Sequence, residues 1–187
     1  MTQKMPFPAA TCVSLGANLM RLALYQPDIP QNAGSLMRLC ACLGVAMDIV
    51  EPCGFLLSDR NFRRAGMDYL TGLDLTRHDD WEAFRRNRVA KGGAEGGAKG
   101  GGRVLLLTTK AAQPYTDFAF TPGDTLLVGR ESAGVPEAVH AQVEARLLIP
   151  MQAGMRSLNV AQAAAMVLGE ALRQTQGFPA LPEAQCT

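Results

Sequence analysis

The sequence predicts an α/β fold, a mostly parallel sheet flanked by helices. Three observations lead there. Short, continuously apolar runs recur along the chain, segments of helical spacing separate them, and polar or glycine-bearing turns follow several of the runs. A parallel sheet covered on both faces needs such strands, because neither face meets water. Ligands in these folds bind outside the carboxyl ends of the strands. With 187 residues, 48% of them hydrophobic, the chain is long enough for one well-cored domain and short for two.

The elements follow in order. Residues 1–20 show no periodicity and read as an N-terminal tail, which leaves 21–187 as the single domain. Arg21–Tyr25 suits a buried strand, and Pro27 and Pro30 break it. A helix fits residues 32–43, with Leu36, Leu39, Cys40 and Leu43 at helical spacing, Asn32 as its cap and Gly44 as its stop. Ala46–Val50 is a second strand. Ser58 is placed to cap a short basic helix carrying Arg60, Arg63 and Arg64. A strand is expected around residues 73–76, and Asp79 then opens a helix containing Trp81 and Phe84. Residues 89–102 are low in complexity and rich in glycine, and read as a flexible loop. Apolar strands resume at Val104–Leu107, 126–128 and 147–149, with Pro136 suited to the first turn of a short helix between the last two. An alanine-rich helix over about 159–174 closes the chain.

Composition narrows the partners. The formal net charge is +1, so a nucleic-acid partner has to be argued from local clusters and not from global charge. The candidates are Arg60, Arg63, Arg64, Arg85, Arg86 and Arg88, with a solvated charged face as the plainer account. The five cysteines, Cys12, Cys40, Cys42, Cys53 and Cys186, form no C-x-x-C pair, and Cys40 and Cys42 point to different faces of their helix. Such a set reads as reduced thiols in a cytoplasmic protein. With only His78 and His140 beside them, no metal centre is expected. No apolar run reaches the roughly 20 residues of a membrane helix, and Pro6, Pro8 and Gly16 argue against a signal peptide.

Three turns carry candidate chemistry. In residues 27–38, two prolines stiffen the approach to a helix, Gly34 permits close approach of a ligand, and Arg38 is suited to hold a phosphate. A capped helix with a surface arginine is the bland alternative. In residues 128–136, Gly129 and Gly134 bracket polar residues between a strand and a helix, a turn that presents backbone groups to an adenosine or a carboxylate. An ordinary glycine turn explains it equally well. Its spacing matches neither a dinucleotide fingerprint nor a Walker loop, which argues against a Rossmann dehydrogenase. In residues 149–160, Ser157 and Asn159 either cap the last helix or hydrogen-bond a ligand at its start.

Taken together and in order, these segments resemble the three motifs of the SPOUT, or α/β-knot, RNA methyltransferases. The resemblance runs from about residue 21 to 179. It rests on Leu-Tyr-Gln-Pro-Asp-Ile-Pro-Gln-Asn-Ala-Gly at 24–34, Arg-Leu-Cys-Ala at 38–41, Glu-Pro-Cys-Gly-Phe at 51–55, Arg-Arg-Ala-Gly-Met-Asp-Tyr at 63–69, Leu-Thr-Thr-Lys at 107–110 and Ser-Leu-Asn at 157–159. It is nearest to the bacterial members that methylate the ribose 2′-hydroxyl of the wobble cytidine or uridine 34 of tRNA. The sequence departs from the family at the glycine-rich insert, at Gly-Arg-Glu-Ser-Ala-Gly over 129–134, and at Ala161, Gln162 and Gly169, where many members have Ser, Asn and Tyr.

The resemblance implies a C-terminal trefoil knot, a homodimer with RNA across its interface, and S-adenosyl-L-methionine as cofactor. It assigns the cofactor to Leu107, Gly129, Ile149, Ser157 and Leu158. Arg38 matches the motif-one arginine implicated in activating the ribose hydroxyl, and Asn32, Lys110 and Arg156 are the expected RNA contacts. No metal is required. The alternatives within the resemblance are a 2′-O-methyltransferase acting on another RNA, such as rRNA, and a non-catalytic RNA-binding relative.

Overall fold

Among the described residues, seven strands pair side by side in the order β3-β2-β1-β6-β4-β7-β5, every pairing parallel. The computed structural model describes residues 20–55, 72–92 and 102–180 of the chain, with side chains in the second stretch as far as Arg88. The strands are β1 (Arg21–Tyr25), β2 (Ala46–Val50), β3 (Leu75–His78), β4 (Val104–Leu107), β5 (Gln113–Pro114), β6 (Thr125–Val128) and β7 (Ala145–Leu148). The helices are α1 (Pro30–Leu43), α2 (Trp81–Gly92), α3 (Glu137–His140) and α4 (Val160–Thr175), with a 3-10 turn at Tyr115–Asp117.

Alternate residues of β1, β2, β4 and β6 feed two cores. Leu22, Leu24, Met47, Ile49, Leu105, Leu126 and Leu147 pack with Leu36, Met37 and Cys40 of α1 and with Val167, Leu168, Ala171 and Leu172 of α4. Ala23, Tyr25, Val50, Leu106 and Leu127 pack on the other face with Trp81 and Phe84 of α2 and Val139 of α3. Burying each large apolar side chain is worth about 1.5–3 kcal/mol. The continuous apolar strands therefore follow from the two-sided cover. Met20, the last residue of the expected tail, is itself fully buried in the first core. Residues 1–19 lie outside the described residues.

Several local expectations need correction. Asn32 does not cap α1: Pro30 takes the first turn and Ile29 occupies the cap position with no side-chain hydrogen bond. Gly44 ends that helix in the left-handed conformation, as expected. Asp80, not Asp79, caps α2, its Oδ1 accepting from the N–H of Ala83 at 2.6 Å. The helix runs to Gly92, through the first residues of the segment read as a loop, and 93–101 lie outside the described residues. The third strand sits two residues later than expected. Ser58 and the basic helix it was to cap also lie outside the described residues.

Arg88 is the larger correction. It falls on the face of α2 that carries Trp81 and Phe84, is 8% exposed, and donates from Nη2 to the carbonyl of Gly123 at 3.0 Å. It is a structural arginine and not a surface contact for RNA. Arg85 pairs with Glu144 at 3.3 Å, whereas Arg86 is exposed. Beneath α2, Asp48 ties the first three strands together. Its Oδ2 accepts from Arg21 Nε at 2.6 Å and its Oδ1 lies 2.7 Å from His78 Nε2.

Candidate functional site

The sheet order reverses at the junction of β1 and β6: the chain leaves β1 towards β2 on one side and leaves β6 towards β7 on the other. Such a reversal opens a crevice at the carboxyl ends of the strands. A cavity of about 610 Å³ lies there, built from the start of α1 and the turns after β4, β6 and β7. That volume is in the range of small-ligand pockets, about 300–1,000 Å³.

All five residues that the resemblance assigns to the cofactor, Leu107, Gly129, Ile149, Ser157 and Leu158, line this cavity. So do the three assigned to RNA, Asn32, Lys110 and Arg156. The structure thus gathers into one place residues spread over more than a hundred positions of sequence. Arg38 is not among the lining residues. It is exposed on α1, further along the helix than Asn32.

A polar crosslink holds the walls together. Asn32 donates from Nδ2 to Glu131 Oε1 at 2.9 Å and accepts at Oδ1 from Asn159 Nδ2 at 2.9 Å. Glu131 Oε2 accepts the N–H of Asp28 at 3.1 Å. Asp28 in turn accepts the N–H of Glu131 at 3.2 Å, the N–H of Ser132 at 3.3 Å and the Ser132 hydroxyl. Hydrogen bonding with the Glu131 side chain, then with the Ser132 hydroxyl and the two backbone N–H groups, outweighs desolvation and pulls the Asp28 carboxyl down to about 2. The loop before α1, the turn after β6 and the start of α4 are thereby one hydrogen-bonded unit. That Asp28 and Glu131 are partners is not legible in the sequence. Their only sequence signal was an acid between two prolines and an acid between two glycines.

Backbone packing shapes the rest. A Cβ on Gly129 would meet the carbonyl carbon of Gly134 at 2.6 Å, so only glycine permits this pinch. The pinch is a small antiparallel bridge, with Arg130 and Gly134 exchanging N–H to carbonyl bonds of 3.2 and 2.8 Å. Gly134 itself has φ +68°, a left-handed value. On β4's exit, the N–H of Lys110 donates to Thr108 Oγ1 at 3.2 Å and turns the chain across the cavity mouth. Asn159 Oδ1 accepts the N–H groups of Ala161 and Gln162 at 2.9 and 3.4 Å. It caps α4, as expected, and still offers its Nδ2 to Asn32. Ser157 lines the cavity without capping the helix.

The electrostatics are graded. Lys110 and Arg156 are exposed at the mouth, Arg130 and Glu131 are half-buried, and Val128, Val135 and His140 form the buried wall. Among the described residues no cysteine lines the cavity. Burial pushes the Cys40 thiol up to about 12 and the Cys53 thiol up to about 11. Among the described residues no helix is long and apolar enough to cross a membrane, and no three His, Cys, Asp or Glu side chains group as metal ligands.

These features define an α/β protein that holds a small ligand at the carboxyl edge of a parallel sheet beneath a largely basic rim. Within that class the chain belongs to the SpoU rRNA Methylase family, which it matches over residues 19–169. It is 63% identical over 153 residues, 82% of this chain and 90% of the relative, to the tRNA (cytidine(34)-2′-O)-methyltransferase of Beijerinckia indica. A solved structure concerned with 2-OH methylation of C/U34 on tRNA superposes with a TM-score of 0.76 and 40% identity, covering 87% of this chain and 99% of that one. The SpoU methyltransferase AviRb from Streptomyces viridochromogenes, solved in complex with the cofactor AdoMet, gives a TM-score of 0.75 at 25% identity, over 91% of this chain and 63% of that one.

Proposed function

We infer that this chain transfers a methyl group from S-adenosyl-L-methionine to the ribose 2′-hydroxyl of nucleotide 34, the wobble position, of tRNA. The observation that carries the reading is the single cavity wall made by the three motif segments, crosslinked through Asn32, Glu131 and Asn159. Relatives at up to 63% identity over most of the chain carry that activity in their names.

The residues present fit the cofactor. Leu107, Val128 and Ile149 give an apolar lining, Gly129 and Gly134 bring backbone to the cavity, and charged groups stand at the mouth to meet an amino acid's ammonium and carboxylate. Leu107, Gly129, Ile149, Ser157 and Leu158 would hold it. When bound, it supplies a methyl group already activated on a sulfonium, so no metal is required for the transfer.

The chain's own contribution is positioning. A guanidinium is a poor general base, so Arg38 is assigned the orientation of the ribose hydroxyl and a neighbouring phosphate. Its place on α1, exposed and outside the cofactor cavity, supports a role towards RNA. Lys110 and Arg156 at the mouth are placed to meet the RNA backbone. Asn32 is committed to the crosslink on both faces of its amide, so its contribution to RNA is to hold the mouth in shape.

Three further readings accompany this one. Membership of the SpoU family supports a C-terminal knot. Exposed Met155, Leu158, Met166 and Phe178 on the C-terminal segment support a homodimer. A tRNA substrate suits a cytoplasmic protein. The test of the whole is incubation with tRNA and labelled S-adenosyl-L-methionine, followed by mapping of the product nucleotide. Label at a 2′-O-methylated nucleotide 34 is expected, and label only elsewhere or only in rRNA overturns the reading.

A further inference from the structure

His140 is the one histidine among the residues that line the cavity. It is 6% exposed, and it closes the short helix α3 behind the Gly129–Gly134 turn. Its backbone is satisfied, the N–H donating to the carbonyl of Pro136 at 3.1 Å. Its side chain has no hydrogen-bond partner among the described residues. Yet neither ring nitrogen is among the side-chain atoms sealed from solvent without a partner. The ring nitrogens therefore keep some contact with solvent, and the residue lines the cavity. A polar side chain more than nine-tenths buried, whose nitrogens have no protein partner and which lines a cavity, has its hydrogen-bonding capacity left for whatever the cavity holds.

We propose that His140 hydrogen-bonds the adenosine half of the cofactor and sets its affinity. The inference rests on the cofactor reading above. Depth in the cavity decides which half. Charged ends of an amino acid suit the rim, where Lys110 and Arg156 are exposed and Arg130 and Glu131 are half-buried. His140 belongs to the inner wall with Val128 and Val135, both buried. A heteroaromatic base and its ribose fit that apolar wall, and they bring donors and acceptors that an imidazole can pair with. The residue types make His140 a specificity element: a leucine would preserve the apolar wall and remove the pairing.

The experiment measures dissociation constants by calorimetry for two probes. S-adenosylhomocysteine carries both halves, and methylthioadenosine carries adenosine without the amino-acid end. His140→Leu is expected to weaken both by about 5- to 30-fold, the range of one buried hydrogen bond. His140→Gln, which keeps a donor and an acceptor, is expected to recover part of the loss. Unliganded melting temperatures confirm that each variant is folded. If both probes bind His140→Leu as tightly as the parent protein, His140 makes no contact and the proposal is wrong. If only S-adenosylhomocysteine weakens, His140 faces the amino-acid end and the adenosine assignment is wrong. If the parent protein binds neither probe, the cofactor reading fails and takes His140's role with it, a result separate from the first two.

Discussion

Asn32 and Asn159 are 127 positions apart and share a 2.9 Å hydrogen bond, Nδ2 of Asn159 donating to Oδ1 of Asn32. The same Asn32 donates to Glu131, and the same Asn159 caps α4. The Asn159 amide therefore serves a local and a long-range role at once, and the Asn32 amide serves two long-range ones. Asn32→Ala removes two bonds and leaves Glu131 Oε1 without this donor. At about 1 kcal/mol per bond, the melting temperature is expected to fall by a few degrees. A double-mutant cycle with Asn159→Ala should show a coupling of at least about 0.5 kcal/mol. Strict additivity would mean that the contact carries no energy.

The Asp28 carboxyl, held at about 2 against an ordinary 3.8, makes the crosslink sensitive to acid. The sign follows from linkage. A carboxyl with a depressed folded-state value adds stability that is present above its unfolded value and is lost as pH falls through the folded one. Between about pH 4 and pH 2 the parent protein should lose stability more steeply than Asp28→Asn, which lacks that contribution at every pH. Denaturant melts across this window decide it, and parallel curves refute it.

Gly129→Ala tests the pinch in the turn after β6. Its methyl would stand 2.6 Å from a backbone carbon of Gly134, and backbone cannot swing aside as a side chain tip can. The turn must open, at a cost of about 1–3 kcal/mol in stability. Cofactor binding is expected to weaken as well, because Arg130–Gly134 pairing shapes that wall. Calorimetry showing parental affinity in a stable variant would show that the turn tolerates a side chain.

The strands most legible in the sequence were those buried on both faces. Arg21–Tyr25, Ala46–Val50 and Val104–Leu107 have strand neighbours on either side, and their apolar runs mark their limits. The edges were harder. β3 pairs only with β2 and is largely half-buried, so its pattern is weak and its start was placed two residues early. The two-residue β5 has no apolar signal at all. At the site, glycine turns and cap residues pointed to the right segments. What Asn32 touches, and that Arg88 turns inward, depended on partners 35 to 127 positions away. No local pattern records such distances. His140 was noted only as one of two histidines, because nothing in its neighbours marks a cavity wall.

Arg38→Ala is expected to reduce methyl transfer to tRNA by at least about 100-fold while leaving S-adenosylhomocysteine affinity within about twofold. The separation follows from its position, exposed on α1 and outside the cavity. Single-turnover kinetics beside calorimetry give the two numbers. A folded variant that loses cofactor affinity would move Arg38 to the wrong partner.

Arg86 and Arg88 are neighbours on α2 with opposite surroundings, and they separate RNA contact from support of the fold. Arg86 is exposed. Arg88 is buried against Gly123, and burial first, then the nearby Arg21, disfavours its charged form, with Asp48 opposing them. Arg88→Ala is expected to cost about 2–4 kcal/mol of stability, through the lost packing of its stem and the stranded Gly123 carbonyl. At temperatures where it stays folded, the salt dependence of its tRNA binding should match the parent's. Arg86→Ala should melt like the parent. If Arg86 meets a phosphate, the slope of log binding constant against log salt becomes shallower by roughly one, the value of a single lost phosphate contact. Binding measured at several salt concentrations distinguishes them. A parental slope for Arg86→Ala would make that face of α2 a solvated surface, and a reduced slope for Arg88→Ala would contradict its burial.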